Sequence, residues 1–333
     1  MEPVIIIEKQ IPFIKGVFDN VADVRYLSPD EITPEAMRDA DALITRTRTR
    51  CNEQLLKDSK CQIIATATIG TDHIDIPYCT SRGIKVVNAP GCNAPAVAQY
   101  VMASILSTVN RPLDEITLGI VGVGHVGSIV DRWARGLGMK TLLCDPPRQA
   151  AEGDAGFVSL DHIAREADVI TVHTPHNTSG EYATHHLITT EFLDKVERKP
   201  LIINSARGPI TDTQSLLKAL ENGNISGVVI DCWENEPAIS LPLLEKAFIA
   251  TPHIAGYSKD GKIRATMAAI DAVSTHFGLP VKYTGALPHP VAETVTWEAI
   301  KSTYDPMADT IALKSAPQDF EYQRNNYRLR QEP

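Results

Sequence analysis

Three residue types that together could oxidise a hydroxy acid stand just after three separate apolar segments. Arg207 follows "PLIINSA", Glu236 follows "GVVIDC" and His253 ends "FIATPH". Histidine suits a proton-accepting role because its unperturbed pKa is about 6.5. A carboxylate beside the imidazole fixes its tautomer, and an arginine offers paired donors to a substrate carboxylate. We interpret the three as a catalytic set in which Arg207 holds the substrate, His253 moves the proton and Glu236 supports it.

The segment "GIVGVGHVG" predicts a dinucleotide-binding turn. Gly122, Gly124 and Gly127 have G-x-G-x-x-G spacing between an apolar segment and a helical pattern. Such glycines allow a tight turn, a close approach to a pyrophosphate and close packing of helix on strand. The next apolar segment ends in Asp145, which can accept hydrogen bonds from ribose hydroxyls. The acid favours NAD over NADP, and we expect the prolines that follow it to turn Arg148 away.

Apolar segments alternate with helical patterns throughout, which predicts an α/β protein with parallel sheets. The first series of predicted strands covers 4–7, 41–45, 61–67 and 85–90. The second covers 117–124, 140–145, 169–174, 200–206, 227–232 and 248–253, enough for a complete doubly wound domain. Long helices are predicted over 94–110 and 259–278.

The predicted fold is two doubly wound parallel-sheet domains, a flavodoxin-like substrate domain and a Rossmann-type NAD domain, with a C-terminal extension. We place the substrate domain in 1–92 and 259–280, the NAD domain in 93–258 and the extension in 281–333. The extension is too polar for a core of its own; it is either a mobile segment or, on a sharper interpretation, an arm that dimerises the chain.

Composition narrows the possible partners. The 333 residues carry a net charge of −9, which argues against nucleic acid as the main ligand. No apolar run is long enough to span a bilayer, and the N-terminus lacks the pattern of a signal peptide. The six cysteines are scattered, so we expect reduced thiols, a cytoplasmic protein and no metal site.

Several of these segments together resemble the D-isomer-specific 2-hydroxyacid dehydrogenase family. The similarity rests on "GIVGVGHVG", "LLCDPP", "HTP", "NSARG", "IDCWENEP" and "TPHIAGY". It implies that Arg207, Glu236 and His253 are catalytic. It also implies NAD contacts at His125, Val126, Asp145, Thr174, Ser205, Ala206, Arg207, Asp231 and Gly256, and substrate contacts at Thr47, Thr68 and Tyr257.

Further segments narrow the resemblance to family members of vitamin B6 biosynthesis. They are "ATIGTDHID", "NAPGCNAPAVAQYV" and "TPHIAGYSKDGK". The implied reaction is the oxidation of 4-phospho-D-erythronate to 3-hydroxy-2-oxo-4-phosphooxybutanoate by a homodimer. A D-3-phosphoglycerate dehydrogenase is the nearest alternative, and a non-catalytic NAD-sensing protein is an alternative from another class.

The segment "ALITRTRTR" is a local cationic patch on an acidic chain. Thr45, Thr47 and Thr49 alternate with three arginines, so a turn after Thr45 is needed to bring a threonine and an arginine to one ligand. We predict that Arg46 or Arg48 binds a substrate phosphate, with a contribution from Arg324 or Arg328 of a partner subunit.

Overall fold

The computed structural model describes residues 2–154 and 156–333, and its elements alternate as the sequence predicts. The strands are β1 (Val4–Glu8), β2 (Asp23–Leu27), β3 (Ala42–Thr45), β4 (Ile63–Thr66), β5 (Lys85–Val87), β6 (Thr117–Val121), β7 (Lys140–Cys144), β8 (Val169–Val172), β9 (Leu201–Asn204), β10 (Gly227–Ile230) and β11 (Ile249–Ala250).

The α-helices in the described residues are mostly short connections between strands. They are α1 (Pro34–Met37), α2 (Glu53–Leu56), α3 (Ile76–Ser81), α4 (Ala94–Thr108), α5 (His125–Gly136), α6 (Pro146–Glu152), α7 (Leu160–Glu166), α8 (Thr190–Leu193), α9 (Thr213–Asn222), α10 (Leu241–Lys246), α11 (Lys259–Phe277), α12 (Trp297–Thr303), α13 (Pro306–Ser315) and α14 (Phe320–Asn325). Across the described residues, none of these helices has the length and apolar character needed to cross a membrane.

Contacts divide the chain into two compact units. The first unit comprises residues 2–93 and Ser258–His289, and the second comprises Ala94–Tyr257 and Pro290–Pro333. The predicted extension, 281–333, is therefore shared: its first residues belong to the first unit and the rest to the second. Within the second unit, Leu313 and Phe320 of this segment are buried in the core, so residues 290–333, which we call the tail, are not a loose extension.

The first unit is a five-stranded parallel sheet with strand order β2-β1-β3-β4-β5, the order of flavodoxin-like folds. Strands β1, β3 and β4 lie in its middle and are buried almost throughout, as expected when both faces of a parallel sheet are covered. Strand β2 is absent from the sequence-based prediction. Its residues, "DVRYL", are exposed or half-buried at the sheet edge, so they lack the apolar run that marks the other strands.

The second unit is a six-stranded parallel sheet with order β11-β10-β9-β8-β6-β7. A parallel bridge between Leu143 and Phe157 stands beyond β7, where a Rossmann sheet has its third strand. The direction of strand order reverses between β6 and β8, which is where such sheets bind their ligands. The predicted class, two parallel-sheet α/β domains, is confirmed.

Candidate active site

The glycine turn, Gly122–Gly127, connects β6 to α5. A Cβ on Gly127 would lie 2.1 Å from the carbonyl oxygen of Gly122, so only glycine permits this approach of helix to strand. A Cβ on Gly124 would meet nothing within 4 Å. Gly124 and the next residue, His125, are exposed at the N-terminus of α5. The turn therefore leaves open space at free amide groups, which suits a diphosphate.

Asp145 lies at the end of β7 and is bonded to the glycine turn. Its Oδ2 accepts a hydrogen bond from the amide of Val123 at 2.8 Å, and its Oδ1 accepts from the amide of Arg148 at 3.1 Å. We expected Arg148 to point away from the glycine turn, but it does not. Its Nη1 donates to the carbonyl of Val123 at 2.6 Å, and its Nε donates to Glu152 at 2.7 Å. A carboxylate and a paired arginine thus stand together beside the turn.

The remaining predicted NAD contacts follow the carboxyl ends of neighbouring strands. Thr174 comes after β8, Ser205 after β9, Asp231 after β10 and Gly256 after β11. The hydroxyl oxygens of Thr174 and Ser205 are buried and have no hydrogen-bond partner among the described residues. Buried polar atoms in native proteins are nearly always satisfied, so the two hydroxyls fit a ligand with polar groups of its own.

His253 and Glu236 are in direct contact. Nδ1 of the imidazole lies 2.8 Å from Oε1 and 3.0 Å from Oε2 of the carboxylate. Both side chains are largely buried, with 25% and 21% of their surfaces exposed. Because a carboxylate can only accept, the contact favours the tautomer in which Nδ1–H donates to Glu236 and the neutral imidazole has its lone pair at Nε2. The sequence places these residues 17 positions apart, and the fold brings them together as predicted.

Arg207 belongs to the same group of charges. Its Nη1 donates to the carbonyl of Ala206 at 2.8 Å. The thiol of Cys232 is influenced by this group: burial and the carboxylates of Asp231 and Glu236 raise its pKa well above the ordinary value, while Arg207 and Arg324 oppose that rise. Three predicted site residues and a tail arginine therefore influence one buried atom of the second unit.

The histidine turn, Thr251–Tyr257, has an unusual backbone and a buried anion beneath it. His253 has φ of +55°, a left-handed conformation that is uncommon for a side chain of this size. The Asp231 carboxylate accepts hydrogen bonds from the amide of Ile254 at 2.7 Å and from that of Ala255 at 3.0 Å. Burial raises the pKa of Asp231 although these hydrogen bonds and His253 oppose the rise. Asp231 is thus a structural anchor of the turn as well as a predicted cofactor contact.

The predicted substrate residues of the first unit surround the end of β3. The strand ends at Thr45, and the following residues turn, as the alternation of threonine and arginine required. Glu8 accepts hydrogen bonds from the Thr45 hydroxyl at 2.6 Å and from the Arg46 amide at 2.9 Å. Thr47 is exposed. Nε of Arg46 is buried without a partner among the described residues.

Thr68 is half-buried in the first unit, and Tyr257 is half-buried in the second. The Thr68 hydroxyl lies 3.0 Å from that of Thr66 and donates to the carbonyl of Gly70 at 3.1 Å. The Tyr257 ring packs edge-on against Tyr327 of the tail, with 6.2 Å between ring centroids. Each hydroxyl side chain thus has a fixed position within its own unit.

One further cluster could be mistaken for a metal centre. Ligand atoms of His186, Asp212 and Glu234 lie within 4.8 Å of one another. Both carboxylates already bind the first amides of α9: Asp212 accepts from Gln214 at 3.2 Å and Glu234 from Thr213 at 2.7 Å. We therefore describe the cluster as a helix cap.

Comparison with known proteins identifies the family. Residues 97–255 match the model described as D-isomer specific 2-hydroxyacid dehydrogenase, NAD binding domain. The chain is 47% identical over 336 residues to erythronate-4-phosphate dehydrogenase of Bacteroides thetaiotaomicron, covering 98% of this chain and 97% of that protein. It belongs to the erythronate-4-phosphate dehydrogenase family. The same enzyme of Porphyromonas gingivalis is 43% identical over 338 residues, with 97% and 92% covered.

A solved structure supports the fold and the cofactor. D-lactate dehydrogenase from Aquifex aeolicus, complexed with NAD and lactic acid, is similar with a TM-score of 0.69 and 25% identity, covering 83% of this chain and 96% of that one. The family and NAD predictions are confirmed, and with them the class of NAD-dependent 2-hydroxyacid dehydrogenases.

Two arginines of the tail, Arg324 and Arg330, lie at the candidate active site, and only Arg324 is among the residues predicted from the sequence. Arg324 is hydrogen-bonded to Tyr257; burial lowers its pKa, but Tyr257, Glu236 and Glu321 together outweigh burial and the net shift is upward. Arg330 bonds several carbonyls of the histidine turn. The only sequence signal is a cluster of arginines and tyrosines in "FEYQRNNYRLR". We predicted that Arg324 or Arg328 contributes to a partner subunit; within its own chain, Arg324 is bonded to Tyr257 of the candidate site.

Proposed function

We propose that this chain oxidises 4-phospho-D-erythronate at C2 to 3-hydroxy-2-oxo-4-phosphooxybutanoate with NAD, a step of vitamin B6 biosynthesis. The contact between His253 and Glu236 carries the proposal for the chemistry. Similarity over nearly the full length to erythronate-4-phosphate dehydrogenases supports the choice of substrate.

His253 is the general base in this proposal. With Nδ1–H bonded to Glu236, Nε2 accepts the proton of the C2 hydroxyl, and the carboxylate stabilises the imidazolium that results. Bound NAD supplies the hydride acceptor. In the reverse direction His253 is the acid that protonates the C2 oxygen. The left-handed backbone of His253 sets the direction of the imidazole in either case.

Arg207 binds the substrate carboxylate through its guanidinium, because paired donors match the two carboxylate oxygens. Gly124, His125 and Val126 would hold the NAD diphosphate, where the glycine turn is open, and Asp145 would accept hydrogen bonds from the ribose hydroxyls. Thr174, the 205–207 segment, Asp231 and Gly256 line the rest of the cofactor site, and the unpartnered hydroxyls of Thr174 and Ser205 support this assignment.

The substrate phosphate requires cations other than Arg207. In the first unit, Arg46, Thr47 and Thr68 are assigned to substrate, and the unpartnered Nε of Arg46 supports a role in binding an anion. In the second unit, Tyr257 is assigned to substrate. Arg46→Ala and Arg48→Ala are the direct test: an increase of about tenfold in KM for one of them identifies the phosphate-binding arginine, as expected for a lost charge-assisted bond. Unchanged KM for both variants excludes both.

The proposed assembly is a cytoplasmic homodimer formed through the tail. Four large apolar side chains of the tail helices are exposed: Trp297 at 49%, Met307 at 37%, Ile311 at 63% and Tyr322 at 69%. Exposed apolar side chains grouped on one segment are typical of protein interfaces. Light scattering on the purified chain tests this directly, and a mass of one chain would rule the dimer out.

The central experiment is a steady-state assay that follows NADH absorbance. We expect 4-phospho-D-erythronate to have a kcat/KM at least a hundredfold above those of 3-phosphoglycerate and D-lactate. A preference for 3-phosphoglycerate would instead favour the phosphoglycerate dehydrogenase alternative. Tight NAD binding without turnover on any 2-hydroxy acid would favour an NAD-sensing protein.

A further inference from the structure

The histidine turn is held from two sides by two buried charged residues. On the amide side, Asp231 accepts hydrogen bonds from Ile254 and Ala255, and its Oδ1 also accepts from the hydroxyl of Thr251 at 2.7 Å. A left-handed non-glycine residue persists only where its surroundings over-determine the backbone. The carboxylate accounts for the amides of Ile254 and Ala255 but for none of the carbonyl groups that follow His253.

Arg330 of the tail satisfies those carbonyls. Its Nη1 donates to Ile254 at 3.0 Å and to Tyr257 at 3.3 Å, and its Nη2 donates to Ala255. The side chain is only 7% exposed. Three of the four residues that follow His253 therefore place their carbonyl oxygens on one guanidinium. These residues lie 73 to 76 positions before Arg330 in the chain.

The guanidinium is itself fixed in orientation. Nε donates to Oε1 of Gln99 at 2.9 Å, and Nη2 donates to the carbonyl of Ala96 at 3.0 Å. Gln99 is fully buried, and its Nε2 donates to Thr303 and to the carbonyl of Gln331, each at 2.9 Å. The cation also lies 4.3 Å above the ring of Tyr304. Helix α4, the tail and the histidine turn thus meet at one side chain.

Only arginine has the chemistry for this arrangement. Its five N–H donors diverge in a fixed plane, whereas a lysine ammonium presents three donors from a single point. A buried cation is costly unless it is fully hydrogen-bonded. Arginine is suited to this position because its several donors match the several backbone carbonyls that surround them.

We propose that Arg330 is a positioning residue of the reaction: it acts through the histidine turn and holds the imidazole of His253 where it can exchange a proton with substrate. The tail is then part of the active site of its own chain. The inference rests on the proposed role of His253.

The test compares Arg330→Lys and Arg330→Met with Arg165→Met, which removes an exposed arginine of the same unit. We expect kcat with 4-phospho-D-erythronate to fall roughly a hundredfold for Arg330→Met, because misplacing a catalytic group by about 1 Å has effects of that size. Arg330→Lys should fall by about tenfold, and Arg165→Met should match the unmodified chain. KM for both substrates should change less than about threefold.

A purely structural role would give a different pattern. The melting temperature would fall, but the folded fraction of Arg330→Met would retain its kcat, and that outcome overturns the proposal. If Arg330→Met does not fold, Arg330→Lys decides: an unchanged kcat overturns the proposal, and a reduced kcat with unchanged KM supports it.

Hydrogen exchange separates this inference from the proposed function. If the unmodified chain turns over no 2-hydroxy acid, the role of His253 in this reaction fails, but the control of the turn by Arg330 is still measurable. Faster amide exchange at Ile254 and Ala255 in Arg330→Lys, with β6 to β10 unchanged, supports it. Equal exchange at these two amides overturns it.

Discussion

The glycine turn and the histidine turn stand at the carboxyl edge of the same sheet, yet they are built in opposite ways. The glycine turn adopts its left-handed backbone at Gly122, where φ is +88° and no side chain opposes it. The histidine turn adopts a left-handed backbone at His253 itself, where φ is +55°. The first owes its left-handed conformation to a glycine of its own segment, although Asp145 and Arg148, outside the turn, are hydrogen-bonded to Val123 within it. The second needs Asp231 beneath it and Arg330 from the tail.

The difference follows from the roles proposed for the two turns, cofactor binding for the first and proton transfer for the second. A diphosphate binds to backbone amides, so the cofactor turn has to remove side chains from its path. Proton transfer needs one side chain in one orientation, so the catalytic turn keeps a side chain and accepts an unfavourable backbone. Distant residues then stabilise that backbone. Mutations in the histidine turn should therefore lower kcat, whereas mutations in the glycine turn should weaken NAD binding.

The largest effect is expected at His253. His253→Ala should lower kcat by about 10² to 10⁴-fold, the range for loss of a general base, while the Kd for NAD stays nearly unchanged. His253→Asn is the stricter variant, since asparagine tolerates a left-handed backbone and should preserve the turn. Fluorescence titration with NADH and steady-state rates give the two quantities.

The control for this prediction is His185→Ala, which removes an exposed histidine of the same unit and should leave both quantities unchanged. If His253→Asn weakens NAD binding as much as it lowers kcat, the histidine supports the cofactor site and is not the base.

The glycine turn should show the reverse pattern, and its second and third glycines, Gly124 and Gly127, should differ. Gly127→Ala forces a Cβ against the carbonyl of Gly122, which should destabilise the fold by about 1–3 kcal/mol and weaken NAD binding together. Gly124→Ala meets no protein atom within 4 Å, so it should leave the melting temperature unchanged and weaken NAD binding alone, by about tenfold. Thermal melting and NADH titration distinguish the two.

Gly136→Ala is the matched control in the same helix. A Cβ there meets nothing within 4 Å, so alanine should be neutral or slightly stabilising. Equal effects of Gly124→Ala and Gly136→Ala on NAD affinity would contradict the assignment of the open space to the diphosphate.

The same contrast explains what the sequence could and could not predict. The glycine turn is a local pattern, so its strand, its glycines and its helix could be predicted from adjacent residues. Glu236 and His253 could be paired because strands of a parallel sheet end at one edge. Arg330 could not, since its role depends on contacts with residues more than 70 positions away. Strand β2 was missed for a different reason: an exposed edge strand carries little hydrophobic signal.

The smallest effect is expected for Asp145→Ser. This variant should leave the backbones of the glycine turn and the histidine turn in place, so it tests the contribution of one side chain to the cofactor site. Serine can still cap α6, as Asp145 does through the amide of Arg148. Removing the carboxylate ends its repulsion of a 2′-phosphate, while the Arg148 guanidinium stays beside the glycine turn, bonded to Glu152 and to the carbonyl of Val123. The ratio of kcat/KM for NAD to that for NADP should fall by about tenfold, with kcat on NAD nearly unchanged. Asp154→Ser, at an exposed acid beyond α6, should leave the ratio as it is. An unchanged ratio in Asp145→Ser would mean that the glycine turn selects NAD without this acid, by the shape of its backbone alone.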